Sequence, residues 1–233
     1  MKLRVKFSKF GPVRFIGHLD VMRFFQKAIR RAEIDIAYSQ GFSPHQIMTF
    51  ASPLSVGLTS KGEYMDIEIN SMISCEDIKN RLNAASVPGI EVLSVKLLPE
   101  NAGNAMASVA AAQYSVKFRE GREPRLKIED VLDDFLSQEQ ILYVKETKKG
   151  TRDLDLKEGI YKLEWKDHVF SMLLNASSAG NIKPIQIIEA LLAKYEESLM
   201  ENALLVCREE TFLNVGTEEE PNFVPMDAIG TIQ

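Results

Sequence analysis

The chain has 233 residues, 45% of them apolar and 26% charged, with 13 Gly and 9 Pro, a balance that excludes disordered, collagen-like and low-complexity classes and allows one large globular domain or two of ordinary size. The net charge is −5, yet residues 1–31 carry +8, nine Lys or Arg against Asp20 alone, so the other 202 residues sum to −13 and the N-terminal segment points to an anionic partner. No run of about 18 apolar residues offers a membrane span, and the basic start leads into an alternating pattern rather than an apolar signal core, so the expectation is a cytoplasmic protein without membrane contact.

In chain order, "KLRVKF" (residues 2–7) alternates Lys2, Arg4 and Lys6 with Leu3, Val5 and Phe7, the period of a strand with one buried face. From His18 to Ala32, Met22, Phe25, Ile29 and Ala32 recur at helical spacing, with Asp20 in the first turn, where a carboxylate suits the helix dipole. Short β-like runs at 34–38 and 47–50 flank "YSQGFSPHQ", in which Gly41 and Pro44 answer to turn geometry while Phe42 and His45 do not. "EYMDIEI" (63–69) is a strand with Met65, Ile67 and Ile69 on one face and Tyr64, Asp66 and Glu68 on the other. Ser74 and Asp77 open a capped helix through about Ser86, Pro88-Gly89 stops it, and a strand follows.

A connector at 99–111 leads to strand, helix and strand patterns, a hairpin across Lys166-Asp167-His168, a helix opened by Pro184 and the final run "ALLVCREETFL". The order β-α-β-β-α-β thus occurs twice, which predicts an α+β protein of two tandem ferredoxin-like units, 1–98 and 112–213, with an acidic, loosely ordered tail at 214–233. Cys75 and Cys207 have neither redox nor metal-ligand spacing and read as free thiols.

"FSKFGPVRFIGHLDVMRFFQKAIRRA", "YSQGFSPH" and "PLSVGLTSKGEYMDIEI", in this order, resemble an uncharacterised bacterial family of radical-SAM-linked domains, fused to or encoded beside B12-binding radical SAM proteins. The resemblance covers roughly residues 2–213 and implies a radical SAM protein as partner. It departs after His45, where members carry Pro and a basic residue but this chain has Gln46 and Ile47. In element order and in its glycine-rich, histidine-bearing arrangement the chain is also similar, at the level of fold, to tandem ferredoxin-like RNA endonucleases that process CRISPR repeats. Three closely spaced cysteines for an iron-sulfur cluster are absent, and no cofactor is expected.

The candidate binding residues form two groups. Arg14, His18 and Asp20 stand with Phe42 and His45; if the two segments converge, the two imidazoles and Arg14 would surround a phosphate, with His18 and His45 as the candidate catalytic pair of a metal-independent endoribonuclease. His18 and Asp20 stand about 200° apart on a helix, which works against a metal site built from them. Arg23, Lys27, Arg30 and Arg31, spaced i, i+4, i+7 and i+8, make a basic ridge opposite the core stripe, suited to phosphate contacts that do not read sequence. The face bearing Lys2, Arg4 and Lys6 should pair with Tyr64, Asp66 and Glu68 and lacks the aromatics of an RNA-recognition sheet. The favoured reading is a non-catalytic module binding RNA or another macromolecule for a radical SAM partner, with the endoribonuclease or a purely protein-binding adaptor as alternatives.

Overall fold

The computed structural model describes residues 1–72, 74–147 and 150–233. In chain order it contains β1 (Lys2–Lys9), α1 (His18–Arg31), β2 (Met48–Phe50), β3 (Thr59–Glu68), α2 (Cys75–Ala84), β4 (Ile90–Leu97) and the short α3 (Ala105–Ser108). These are followed by β5 (Ala111–Phe118), α4 (Ile128–Ser137), β6 (Leu142–Thr147), β7 (Gly150–Asp155), β8 (Ile160–Lys166), β9 (Val169–Asn175), α5 (Pro184–Lys194), β10 (Leu204–Asn214) and β11 (Phe223–Pro225). The fold is α+β, with helices and largely antiparallel sheet. Its two compact units are residues 1–110 with 208–233, and residues 111–207.

In the first unit the strands run β4-β1-β3, with β2 and the later part of β10 along β3. β1 and β3 are antiparallel, with Lys2 opposite Glu68, Arg4 opposite Asp66 and Lys6 opposite Tyr64, as the alternation of both segments predicts. Leu3, Val5 and Phe7 therefore face the core with Met65, Ile67 and Ile69, all nearly excluded from water. α1 closes this face through Val21, Phe25, Ala28 and Ile29, and the Phe7 and Phe25 rings meet edge to face at 4.7 Å. The stripe is turned slightly from the predicted one, leaving Met22 only half-buried. α2 begins as predicted, with the Ser74 hydroxyl accepting from the Asp77 amide at 3.0 Å, and Gly89 takes φ +99° at the turn into β4.

The opposite face of the sheet is polar and covered. Arg4 is fully buried, donating to both Asp66 oxygens and, at 2.8 Å, to the Met226 carbonyl. Tyr64 donates from its hydroxyl to Glu210 at 2.7 Å and also contacts Asp227 at 3.2 Å, while Lys6 pairs with Glu210 and Ser94 donates to Asp227. Burial, reinforced by the Glu210 and Asp227 carboxylates, pushes the Tyr64 phenol far above its ordinary pKa.

This arrangement differs from a loosely ordered tail at 214–233. β11 pairs with β10, Met226 is wholly buried, Thr231 and Leu97 exchange backbone hydrogen bonds, and the Cys75 amide donates to the Gln233 carbonyl. The physical reason is that buried Arg4 and Tyr64 need polar partners, and the tail supplies them. Acidity in the sequence marks a charged cover here rather than a solvated end.

In the second unit β5, β9 and β8 are adjacent and antiparallel, and the opening residues of β10 belong to this unit. α5 starts at Pro184 as predicted. Two local readings change. "ILYVKE" pairs outside the main sheet, as the β6–β7 hairpin with residues 150–155. The run at 34–38 contributes isolated bridges, Ile36 to Ile69 and Tyr38 to Gln46, rather than a strand.

Candidate functional site

The entry to α1 is built from a 3-10 turn at Gly11–Phe15 and an extended Gly17, so the helix starts at His18. With His18 in the first helical position, its ring turns inward and meets Phe50 edge to face at 5.1 Å. Asp20, two residues on, is exposed and pairs with Arg23 at 3.4 Å. The expected divergence of the two side chains is thus realised.

His18 lines a small cavity with Lys9 and Glu63, side chains that sequence reasoning did not single out. Lys9 is 2% exposed and donates to the Ile16 carbonyl at 2.9 Å; burial holds its ammonium below the usual lysine pKa, with the Glu63 charge opposing. Arg208 donates to Glu63 at 3.0 Å and to the Ser52 carbonyl at 2.9 Å. The cavity volume of about 10 Å³ admits one water at most, so a phosphate does not fit. The cluster instead ties β1, β3 and β10 to the start of α1. Its sequence signal was weak because Arg208 lies 145 positions from Glu63.

The 38–46 segment folds as a small hairpin. The Ser39 amide donates to the His45 carbonyl, the Ile47 amide donates to the Ala37 carbonyl, and Gly41 adopts φ +113° near the tip. His45 is exposed and committed to Ser39, whose hydroxyl lies 2.8 Å from its Nδ1 and accepts from its backbone N–H. Among the described residues, His18 and His45 share neither a hydrogen bond nor a ring contact.

Phe42 stands fully in solvent at the hairpin tip. At the base, buried Gln46 donates from its amide to the Gln26 carbonyl of α1 at 3.3 Å, so the hairpin is fixed to the middle of that helix. Arg14 belongs to the 3-10 turn. Its guanidinium covers the exposed Phe15 ring at 4.7 Å, and its carbonyl accepts from the Gly57 amide.

Arg23, Lys27, Arg30 and Arg31 are all exposed on the solvent side of α1. Arg23 is partly offset by Asp20, Arg30 donates to the Gln26 carbonyl, and Arg31 reaches the Ala85 carbonyl of the first unit at 2.7 Å. Lys27 has no hydrogen bond or ion pair among the described residues. The ridge therefore keeps most of its positive charge toward solvent, because an exposed pair such as Asp20–Arg23 holds its partners only weakly. No group of three or more His, Cys, Asp or Glu among the described residues is placed to hold a metal ion. No described helix is long and apolar enough to cross a membrane.

A family model described as an uncharacterised protein conserved in bacteria (DUF2344) matches residues 2–184. The chain belongs to this family. The match contains α1, the 38–46 hairpin, Lys9 and Glu63, whereas Arg208, Glu210 and the covering tail lie beyond it. No curated protein matches the chain.

Proposed function

We propose that this DUF2344 chain is a non-catalytic binding module for RNA that serves a radical SAM partner. The observation that carries the reading is the exposed row of Arg23, Lys27, Arg30 and Arg31 on a helix whose other face is core, beside a hairpin holding Phe42 in solvent. Phosphates would meet the ridge, and an unstacked base would meet Phe42, a combination that binds single strands with little sequence preference. The polar face of the first sheet is covered at residues 226 and 227, so Arg4 does not face a ligand there, whereas the α1 ridge does face solvent. The partner rests on the resemblance of the first 70 residues to radical-SAM-linked domains. The tandem ferredoxin-like reading is supported by the adjacencies β4-β1-β3-β2 and β5-β9-β8, each interleaved with two helices.

The test is fluorescence anisotropy with labelled tRNA across a salt series, comparing the chain with a variant carrying Arg23→Ser, Lys27→Ser, Arg30→Ser and Arg31→Ser. Loss of these contacts should weaken binding and flatten the log–log salt slope by about 3, at roughly 0.7–0.9 per contact. Phe42→Ala should weaken binding at every salt concentration without changing the slope. Equal affinity of the quadruple variant and the parent overturns the proposal.

A further inference from the structure

The second unit contains a cavity of about 270 Å³ that the proposed RNA surface does not use. Its walls include Phe118 at the end of β5, Trp165 on β8 and His168 in the β8–β9 turn. The Trp165 ring stands 6.5 Å from Phe118 at 63° and 6.0 Å from His168 at 89°, so the three rings present differently directed surfaces rather than one stack. Glu123 and Glu129 also line the cavity, with Lys127 beside them. Glu129 accepts from the Trp165 indole N–H at 3.2 Å through one oxygen, which orients the carboxylate and leaves its other oxygen for a ligand.

One wall is pinned by hydrogen bonds, and another is carried by a strained turn. The Arg125 and Leu126 amides donate to the Glu197 carboxylate at 3.0 and 2.8 Å, pinning the segment that carries Glu123 and Lys127. Asp167 and His168 both have positive φ, 51° and 59°, in the turn that carries the His168 ring beside Trp165. Such turns favour Asn-Gly, and two non-glycine residues there cost conformational energy that a better turn sequence would avoid.

We infer that this cavity binds an alkylammonium group, with the cation against the Trp165 and Phe118 rings and its charge balanced by Glu123 and Glu129. Aromatic faces attract cations through their quadrupole, tryptophan most strongly, and adjacent carboxylates favour an ammonium over a phosphate or a neutral chain. The pinned wall lowers the ordering cost of binding. The same chemistry is found at the end of a protein lysine and in a free aliphatic diamine.

Trp165 is the chain's single tryptophan, so its fluorescence reports directly on the cavity. The full chain is titrated with putrescine, with N-acetyl-lysine methylamide and with 1-pentanol as an uncharged chain of similar length. A saturable fluorescence change with either amine, and none with the alcohol at equal concentration, is the expected result. Tighter binding of the lysine derivative identifies a protein side chain as occupant, and tighter binding of putrescine a free amine. In the Glu123→Gln, Glu129→Gln double variant the amine affinity should fall about five-fold through lost charge attraction; circular dichroism checks that this variant is folded. Failure of both amines to saturate, an equal response to 1-pentanol, or unchanged amine affinity in a folded double variant overturns the inference.

Discussion

Arg4 and Asp66 face each other across β1 and β3, joined by Nε to Oδ1 at 2.7 Å and Nη2 to Oδ2 at 2.9 Å, both out of water. The pair is two-pronged, and the remaining guanidinium nitrogen is satisfied by the Met226 carbonyl. Removing one partner strands a buried charge, whereas removing both leaves a site that apolar side chains can fill. Asp66→Leu should therefore cost about 3–5 kcal/mol, and Arg4→Met with Asp66→Leu should recover at least half of that loss. Urea unfolding followed by far-ultraviolet circular dichroism checks the order. A double variant less stable than the single would show that the charges have a further role.

Tyr64 gives a pH signature of definite sign. Its phenol is raised above the ordinary value of 10.0 by burial and by Glu210 and Asp227, so above that pH the unfolded chain loses this proton while the folded chain keeps it. The unfolded state then binds fewer protons, and stability from Tyr64 is full below pH 10.0 and falls above it. Lys9 acts with the opposite sign: its pKa is lowered from 10.5, so its contribution grows as pH rises toward 10.5. In a Lys9→Met background the stability gap between Tyr64 and Tyr64→Phe should be constant to about pH 10 and then narrow by about 1.4 kcal/mol per pH unit. A gap that stays constant would place the phenol in water.

The fold was legible wherever a single local period governs burial. Leu3, Val5 and Phe7, or Met65, Ile67 and Ile69, declare their buried face within six residues, and Ser74 declares a helix start through a contact three residues away. The Arg4–Asp66 pairing was legible from the alternation of two strands, but the further partners Met226, Glu210 and Arg208 of Arg4, Tyr64 and Glu63 were not, because they lie 222, 146 and 145 positions away and no local spacing connects them. The basic ridge was readable as a periodic pattern and is exposed as read. His18 was visible as a candidate, but its inward packing on Phe50 depends on where α1 begins, and helix starts are fixed by backbone geometry that Gly17 announces only weakly.

Gly62 marks a close backbone approach rather than a turn. The run "GLTSKGEY" reads as a turn into the strand, yet β3 already includes Thr59, and a Cβ at position 62 would lie 2.6 Å from the Glu210 Cα. The obstructing atom is backbone, so relief requires the strand bearing Glu210 to move, together with the contacts of Glu210 to Lys6 and Tyr64. Gly62→Ala should destabilise by about 1–3 kcal/mol, the usual cost of overpacking. Hydrogen exchange should quicken at the Thr211 amide, which donates to the Glu210 carboxylate at 2.9 Å, and wild-type exchange there would contradict the close approach.

The tail provides the sharpest contrast between composition and structure. "GTEEEPNFVPMDAIGTIQ" has no period and is acidic, which ordinarily describes a solvated end, but Met226 is wholly buried and its carbonyl holds Arg4. Truncating a buried methionine removes its transfer energy and leaves a cavity, at about 2–5 kcal/mol. Met226→Ala should therefore lower stability by an amount in that range and deprotect the Leu97 amide, which is bonded to the Thr231 carbonyl. Asp227→Asn should cost less, because the neutral amide can still accept one hydrogen bond from Tyr64 or Ser94. If both variants unfold at the wild-type urea concentration, residues after Val215 do not cover the sheet in solution, and the polar face of β1 and β3 becomes an open surface bearing Lys2, Arg4 and Lys6.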